Sequence, residues 1–289
     1  MFAKFRLLSC RNGKVQLMLS CEYTEYRYVM MKKLLDVMTA LRDPRNGCPW
    51  DIKQTLKSII PYTLEEAYEV ADAIEQENMS ALKSELGDLL FQVVFYAQIA
   101  QEQGEFEFND VIDAISEKLI RRHPHVFSDA QYADDAVLND AWEKTKAAER
   151  DNESNTANAK VLDGVAMALP ALKRAQKLQK RAARVGFDWP EIEPVFAKIE
   201  EEIQELKVAM QQKDKSLIFE EMGDVLFSCV NLSRHLGVDS EESLRSCNKK
   251  FERRFSHIEE DLIKKQQSFD SRSLDQLEQM WQNAKLSEK

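Results

Sequence analysis

The chain carries one acidic pattern twice. In each copy, the spacing Glu-Glu-x-x-Glu is followed sixteen residues later by Glu-x-x-Asp, and each acid of the second copy lies 136 positions after its counterpart. The acids of the first copy are Glu65, Glu66, Glu69, Glu85 and Asp88, and those of the second are Glu201, Glu202, Glu205, Glu221 and Asp224. A pattern that returns at this distance predicts two tandem copies of one structural unit.

Few residues in this sequence would interrupt a helix. Eight glycines and seven prolines are spread over 289 residues, and Glu, Lys, Leu, Ala and Gln are abundant. Hydrophobic residues make up 44% of the chain, which is enough to supply a core. We therefore predict an all-α fold of two tandem bundles, each with four or five helices.

The chain divides at a polar segment without apolar periodicity. We predict a linker at 150–160, a first domain at 30–149 and a second at 161–289. Residues 1–29 match nothing in the second half and show no clear helical period, so we expect an extension outside the repeat, or an artefact of start-codon choice. The first amphipathic helix is expected at 32–41.

The first acidic copy should lie on two consecutive helices, near 63–77 and 81–100. Thr63 has the spacing of a capping box with Glu66, which places the start of the first helix there. The second helix is apolar on nearly every side, so we expect it to be buried inside the bundle. Its polar stripe consists of Glu85, Asp88 and Gln92.

Charge and cysteine content exclude several classes of protein. Fifty acidic residues against forty basic ones give a net charge of −10, which does not favour binding to nucleic acid. No apolar run is long enough to span a membrane, and the N-terminal apolar run is too short for a signal sequence. The five cysteines are scattered without C-x-x-C spacing, so we predict reduced thiols in a cytoplasmic protein.

The acidic pattern predicts a metal site in each copy. Residues three apart in a helix share a face, so Glu202 projects with Glu205, and Glu221 with Asp224. On antiparallel helices these four carboxylates would meet, and they would protonate unless a cation neutralised them. Oxygen ligands suit magnesium.

The alternative to a metal site is a pair of solvated faces on Glu-rich helices. The return of the pattern with the same gap, and with Gly-Asp-x-Leu-Phe around the last acid, favours the metal. Apolar neighbours also surround Asp224 in the sequence, so we expect it to be buried, where an unpaired carboxylate is costly.

Basic residues recur near the acids with helical spacing. Lys250 and Arg254 share a helix face, as do Lys118 and Arg122, and Lys198 lies one turn before the second acidic copy. Cations next to a carboxylate-bound metal suit a polyphosphate, although basic helix ends are also common without a ligand. Four tryptophans are candidates either to stack on a base or to pack: Trp50, Trp142, Trp189 and Trp281.

Taken together, these motifs resemble the MazG family of nucleoside triphosphate pyrophosphohydrolases over about residues 31–289. The resemblance rests on the two acidic copies, on Asn46-Gly47-Cys48-Pro49-Trp50-Asp51 and on the segment 118–127. It implies MazG-type bundles, usually an intertwined homodimer. It also implies magnesium-dependent hydrolysis of NTPs and dNTPs to monophosphate and pyrophosphate, with manganese as a substitute metal. The implied biological role is removal of unwanted nucleotides from the nucleotide pool.

The resemblance further implies roles for individual residues. The implied metal ligands are Glu202, Glu205, Glu221 and Asp224, and in the first copy Glu66, Glu69, Glu85 and Asp88. The implied substrate-binding residues are Lys198, Lys250, Arg254 and Trp281, and in the first copy Lys118, Arg122 and Trp142. Glu201 is our candidate to orient or deprotonate the attacking water, because it shares a face with Glu205 and is not needed as a ligand.

The second copy is favoured as the active one, since it has Lys198 where the first has Tyr62. Two other functions stay open. One is a narrower enzyme of the same superfamily, acting on dUTP, dCTP or phosphoribosyl-ATP. The other is a non-catalytic helical interaction protein.

Overall fold

A computed structural model shows a chain of α-helices and turns, with no β-strand among the residues it describes. This confirms the predicted all-α fold. The chain divides into two compact units, 1–148 and 149–289. The predicted linker lies outside the described residues except for Lys160. The described residues are 21–128, 130–134, 137–138, 141–142, 144–146, 149 and 160–288, with the backbone alone for 21–29.

The first unit is built on one pair of long helices with shorter ones around it. Helix α1 begins before the helix expected at 32–41 and extends into the predicted extension, where we expected no helical period; residues 1–20 lie outside the described part. The helices are α1 (Cys21–Leu41), α2 (Pro49–Lys53), α3 (Leu56–Glu75), α4 (Met79–Glu102), α5 (Phe108–Arg122) and α6 (Pro124–Phe127).

Helix α3 begins earlier than the sequence predicted. Its N-cap is Thr55, whose hydroxyl accepts a hydrogen bond from the Ser58 N–H at 3.2 Å, while Ser58 Oγ accepts from the Thr55 N–H at 2.8 Å. Thr63 is therefore inside the helix, where its hydroxyl donates to a carbonyl one turn earlier at 3.2 Å. Pro61 also lies inside α3, beyond the first turn, where it removes one backbone hydrogen bond of the helix.

Helices α3 and α4 form a hairpin. The turn contains Glu77 in the left-handed conformation, with φ of 55°. Asn78 then caps α4 by accepting a hydrogen bond from the Ala81 N–H at 3.1 Å. Because three residues join two long helices that pack on each other, the helices run antiparallel. The far half of α4 supplies the core of the unit, with Val94 and Phe95 fully buried.

The second unit repeats this hairpin. Lys213 lies 136 residues after Glu77 and has φ of 57°. Asp214 caps the following helix by accepting from the Ser216 N–H at 2.9 Å. The repeat in the sequence is thus a repeat in the backbone. The elements are α7 (Ala171–Arg184), α8 (Glu193–Gln212), α9 (Lys215–His235), α10 (Ser240–Lys264), a 3₁₀ turn (Phe269–Ser271) and α11 (Leu274–Ser287).

The second helix of each hairpin is not buried on all sides, and in this respect the prediction was wrong. In α4 the near half exposes Leu86, Leu90 and Val93. In α9 Asp224 is exposed, so its expected burial is also wrong for the single chain. The reason is that α8 and α7, the main packing partners of α9, cover only part of its circumference.

The described helices also bear on membrane association. Within the part of the chain that the structure describes, no helix combines the length and the apolar composition that a membrane crossing requires.

Candidate active site

Three acids of the second copy meet across the α8–α9 hairpin. The structure brings one carboxylate oxygen from each of Glu202, Glu205 and Glu221 within 4.8 Å of the others. Glu202 is only 5% exposed, Glu221 is half-buried and Glu205 is exposed. The three-residue spacing on α8 and the antiparallel packing of α9 are together sufficient to produce this cluster.

Lys198 neutralises one side of the cluster. Its Nζ lies 2.5 Å from Glu202 Oε1 and 3.0 Å from Glu201 Oε1, and it donates hydrogen bonds to both carboxylates. These bonds, first that to Glu202 and then that to Glu201, raise the pKa of Lys198, so the ammonium group stays charged. Glu202 is thus the shared member of an ion pair and an acidic cluster.

The cluster still carries an excess of negative charge. Loss of water contact, followed by the nearby Glu202 and Glu221 carboxylates, raises the pKa of Glu205. A group of carboxylate oxygens that repel each other and face partly outward fits a hard divalent cation. Softer metals would favour sulfur or imidazole ligands, and the cluster has neither.

A cavity of about 610 Å³ adjoins the cluster within the second unit. Lys198 and Glu202 line one part of it, together with Asp224. Asp224 is not in the group of three acids that the structure brings together, but it lies at the same cavity. Most of the remaining wall is apolar and aromatic: Leu162, Leu178, Ala182, Phe187, Trp189, Val195 and Phe227.

The loop between α7 and α8, residues 185–192, lines one side of the cavity and is called the pinned loop below. Arg234 donates hydrogen bonds to both carboxylate oxygens of Asp188, at 2.8 Å from Nη1 to Oδ2 and closer still from Nη2 to Oδ1. His235 Nε2 lies 3.1 Å from Asp188 Oδ1. Hydrogen bonds from Arg234 chiefly hold the pKa of Asp188 below its usual value. The clamp fixes the loop between α7 and α8 so that Phe187 and Trp189 face the cavity.

Known proteins are similar to this chain in sequence. The family model of the MazG nucleotide pyrophosphohydrolase domain matches residues 54–127 and again 191–259, which contain the two acidic copies. The nucleoside triphosphate pyrophosphohydrolase of Escherichia coli K12 is 50% identical over 258 residues, which are 89% of this chain and 97% of that protein. This chain belongs to the MazG family. The predicted family and enzyme class, a nucleotide pyrophosphohydrolase, are confirmed.

Other MazG proteins also resemble the chain. The nucleoside triphosphate pyrophosphohydrolase/pyrophosphatase MazG of Thermotoga maritima is 44% identical over 257 residues, or 89% of this chain and 96% of that protein. The crystal structure of a MazG-related protein from the same organism is 25% identical, with a TM-score of 0.35; the match covers 40% of this chain and 98% of that one.

The first MazG copy keeps the acids. Carboxylate oxygens of Glu66, Glu85 and Asp88 lie within 4.8 Å of one another. Loss of water contact and then the neighbouring carboxylates raise the pKa values of Glu66 and Glu85, and Glu69 hydrogen-bonds to Glu85. The first copy therefore presents the same kind of oxygen cluster as the second.

The surroundings of the first cluster differ from those of the second. Tyr62 occupies the position of Lys198, and its ring lies 5.6 Å from that of Trp50. Phe95 occupies the position of Asn231, a residue that lines the second cavity, and it is 1% exposed. Aromatic side chains thus stand in the first copy at the positions of Lys198 and Asn231, two residues that line the cavity of the second copy.

Apart from Lys198, the predicted substrate-binding residues of the second copy do not line the cavity. Arg254 donates from Nε to Glu288 Oε2 at 2.8 Å, and its guanidinium carbon lies 5.8 Å from the centre of the Trp281 ring. Trp281 packs on Phe251, with ring centres 5.1 Å apart. Lys250 is exposed. None of Lys250, Arg254 and Trp281 is among the residues that line the cavity in the described part of the chain.

The corresponding residues of the first copy are Lys118, Arg122 and Trp142. Lys118 and Arg122 lie on α5 and are half-buried. Lys146 Nζ lies over the Trp142 ring, 3.8 Å from its centre. The centres of the Trp142 and His123 rings are 5.8 Å apart. These contacts are compatible with packing as well as with ligand binding.

Three polar residues of the cavity were not predicted from the sequence. Gln179, Asn231 and Arg234 line it beside the aromatic wall. A signal for Asn231 was present, because the repeat aligns it with Phe95, and an amide that replaces a phenyl ring indicates a change of environment. Gln179 has no such signal, since α7 lies outside the acidic pattern.

Proposed function

We propose that this protein hydrolyses nucleoside triphosphates, both NTPs and dNTPs, to the monophosphate and pyrophosphate in its second unit. The observation that supports this most is the continuity between the acidic cluster and the cavity. Glu202 belongs to both, and Lys198 lies where they join. One end thus suits a metal-bound polyphosphate, and the other suits an apolar, planar group.

The residues present fit magnesium, with manganese as a substitute, and Glu202, Glu205, Glu221 and Asp224 would hold it. When bound, the ion neutralises phosphate charge and polarises the phosphoryl group. Lys198 supplies a further positive charge to a phosphate oxygen.

Glu201 is the proposed general base. Its side chain is 55% exposed and lies within reach of Lys198. It accepts a proton from the water that attacks the α-phosphorus, and the bond to pyrophosphate breaks. Lys198 Nζ, 3.0 Å from Glu201 Oε1, orients the Glu201 carboxylate toward the lysine that also pairs with Glu202.

We propose that the first unit is structural, regulatory or a weaker enzyme. It has the acids, but it has a tyrosine in place of Lys198 and a buried Phe95 in place of the cavity residue Asn231.

A homodimer is part of the same proposal. Apolar side chains remain exposed on the acid-bearing helices, among them Leu90 of α4 and Met222 and Leu226 of α9. Exposed apolar side chains on such helices are typical of protein interfaces. An intertwined second copy would cover them. Mass measurement by light scattering tests this, and a monomer at all concentrations would contradict it.

A cytoplasmic location is also proposed. Its support is that Cys48, Cys229 and Cys247 form no disulfide with one another or with any other residue whose side chain the structure describes.

Product analysis is the decisive test of the activity. We expect chromatography to show monophosphate and pyrophosphate, rather than diphosphate and phosphate, from every NTP and dNTP, and only with a divalent metal. Glu205→Ala should lower turnover at least about 100-fold without unfolding the chain. Glu69→Ala, the matched change in the first copy, should leave most activity.

Other outcomes would favour other functions. A steep preference for dUTP, dCTP or phosphoribosyl-ATP would indicate the narrower enzyme. Absence of pyrophosphate with all substrates would refute the proposal and favour an interaction protein.

A further inference from the structure

One buried acceptor in the cavity of the second unit lacks a hydrogen-bond donor. Gln179, on α7, is 8% exposed and lines the cavity. Its Nε2 donates to the backbone carbonyl of Phe227 at 2.9 Å. Its Oε1 is buried and has no hydrogen-bond partner among the residues that the structure describes. A carbonyl oxygen can only accept, so the bond to Phe227 settles which end of the amide is which. The unpaired oxygen is therefore an acceptor that a ligand could satisfy.

A donor lines the same cavity. Asn231 Oδ1 accepts hydrogen bonds from Arg234, at 3.1 Å from Nε and 2.7 Å from Nη2. The amide orientation follows, because Arg234 can only donate. Asn231 Nδ2 is consequently the end left for other partners. Asp188 holds Arg234 in turn, so the orientation of Asn231 is tied to the pinned loop.

The rest of the wall suits a flat apolar body. Trp189 and Phe227 contribute aromatic surface, and Leu178 and Val195 contribute aliphatic surface. A volume of about 610 Å³ is within the range of small-molecule sites. A ligand that stacks on aromatic rings, donates one hydrogen bond and accepts another has the chemistry of a nucleobase.

We infer that Gln179 is a specificity-determining residue, whose Oε1 accepts a hydrogen bond from a ring or exocyclic N–H of the substrate base. The inference rests on the proposed triphosphate hydrolysis and adds the side chain that reads the base. Every common base carries an N–H on its pairing edge, so one acceptor admits all of them. A base with no N–H leaves Gln179 Oε1 buried and unpaired, and is disfavoured.

The test uses a substrate pair and a variant pair. ATP is compared with purine riboside triphosphate, whose base has no N–H group. In the wild-type protein we expect kcat/KM to be about tenfold higher for ATP. In Gln179→Met the two values should become nearly equal, through loss on ATP alone.

Gln176→Met is the matched control. Gln176 lies on the same helix and donates from Nε2 to the Val238 carbonyl, also at 2.9 Å, but it does not line the cavity. This variant should keep the tenfold preference. Because the readout is a ratio between two substrates, general damage to the fold cancels. If Gln179→Met does not fold, the wild-type ratio still tests the inference, because equal values for ATP and purine riboside triphosphate would overturn it.

Failure of the inference differs from failure of the proposed function. Equal kcat/KM for both substrates in the wild-type protein, or an unchanged preference in Gln179→Met, overturns the role of Gln179 while hydrolysis stands. Loss of the preference in Trp281→Ala but not in Gln179→Met would place the base against Trp281 instead, and also overturns it. No hydrolysis of either substrate refutes the proposed function itself.

Discussion

Lys198 is the counter-charge of a buried carboxylate, so its removal should destabilise the metal-free protein. The change Lys198→Met keeps the aliphatic stem and leaves Glu202, 5% exposed, facing Glu205 and Glu221 without its cation. Breaking a fully buried ion pair costs about 3–5 kcal/mol. The Lys198 side chain is 34% exposed, and solvent screens part of that effect. We expect a loss of about 2 kcal/mol in the free energy of unfolding.

Divalent metal should reverse much of this loss. Without Lys198 the acidic cluster is more negative, and an ion that binds only the folded state stabilises it by mass action. Urea unfolding is followed by circular dichroism, once in EDTA and once in excess magnesium. The deficit of Lys198→Met should be near its full value in EDTA and clearly smaller with magnesium.

Lys207→Met provides the control for this prediction. Lys207 lies on the same helix and is exposed, so its replacement should change stability by less than about 0.5 kcal/mol. A Lys198→Met deficit of equal size with and without magnesium would show that the lysine packs but does not balance the cluster. Absence of any deficit in EDTA would refute the charge argument altogether.

Three further changes test other contacts. Because loss of water contact and then the neighbouring carboxylates raise the pKa of Glu205, the folded state holds that proton more tightly than the unfolded state. This residue therefore costs stability as pH rises from the unfolded-state pKa through the raised pKa. In EDTA, Glu205→Gln should therefore be more stable than wild type at pH 7 and equal to it near pH 4, by urea midpoints. Glu288→Gln should lower KM for ATP in steady-state assays if Arg254 contacts substrate, because Glu288 now competes for its guanidinium; an unchanged KM would count against that contact. Asp188→Asn should lower the free energy of unfolding by about 1–3 kcal/mol at neutral pH, through the weakened Arg234 clamp. Because the folded-state pKa of Asp188 is depressed, the difference from wild type should shrink as the solution is acidified through that pKa; a constant difference would contradict it.

The acidic cluster was predictable because it depends on helix geometry alone. Spacing of three residues puts Glu202 and Glu205 on one face, and a short turn at Lys213 brings Glu221 opposite them. The start of α3 was not predictable in the same way. Thr55 and Thr63 both have cap-like surroundings, and the full capping box with Ser58 decides between them.

Burial and the cavity depend on contacts between residues far apart in the sequence. Whether one side of α9 is covered depends on α7, and periodicity says only that the helix is apolar. Gln179 meets the Phe227 carbonyl across 48 positions of sequence. No local pattern marks such a pair. The unpaired acceptor at Gln179 likewise results from packing between distant residues and not from any spacing in the sequence.

The buried ring of Phe95 has a consequence for how the protein can be measured. Each chain presents two carboxylate clusters, at Glu66 and at Glu202, among the residues that the structure describes, whereas the buried Phe95 stands in the first copy at the position of the cavity residue Asn231. Titrations should therefore count more metal than nucleotide per chain. The first unit then provides an internal control, because its acidic cluster binds metal under the same conditions while no base binds beside it.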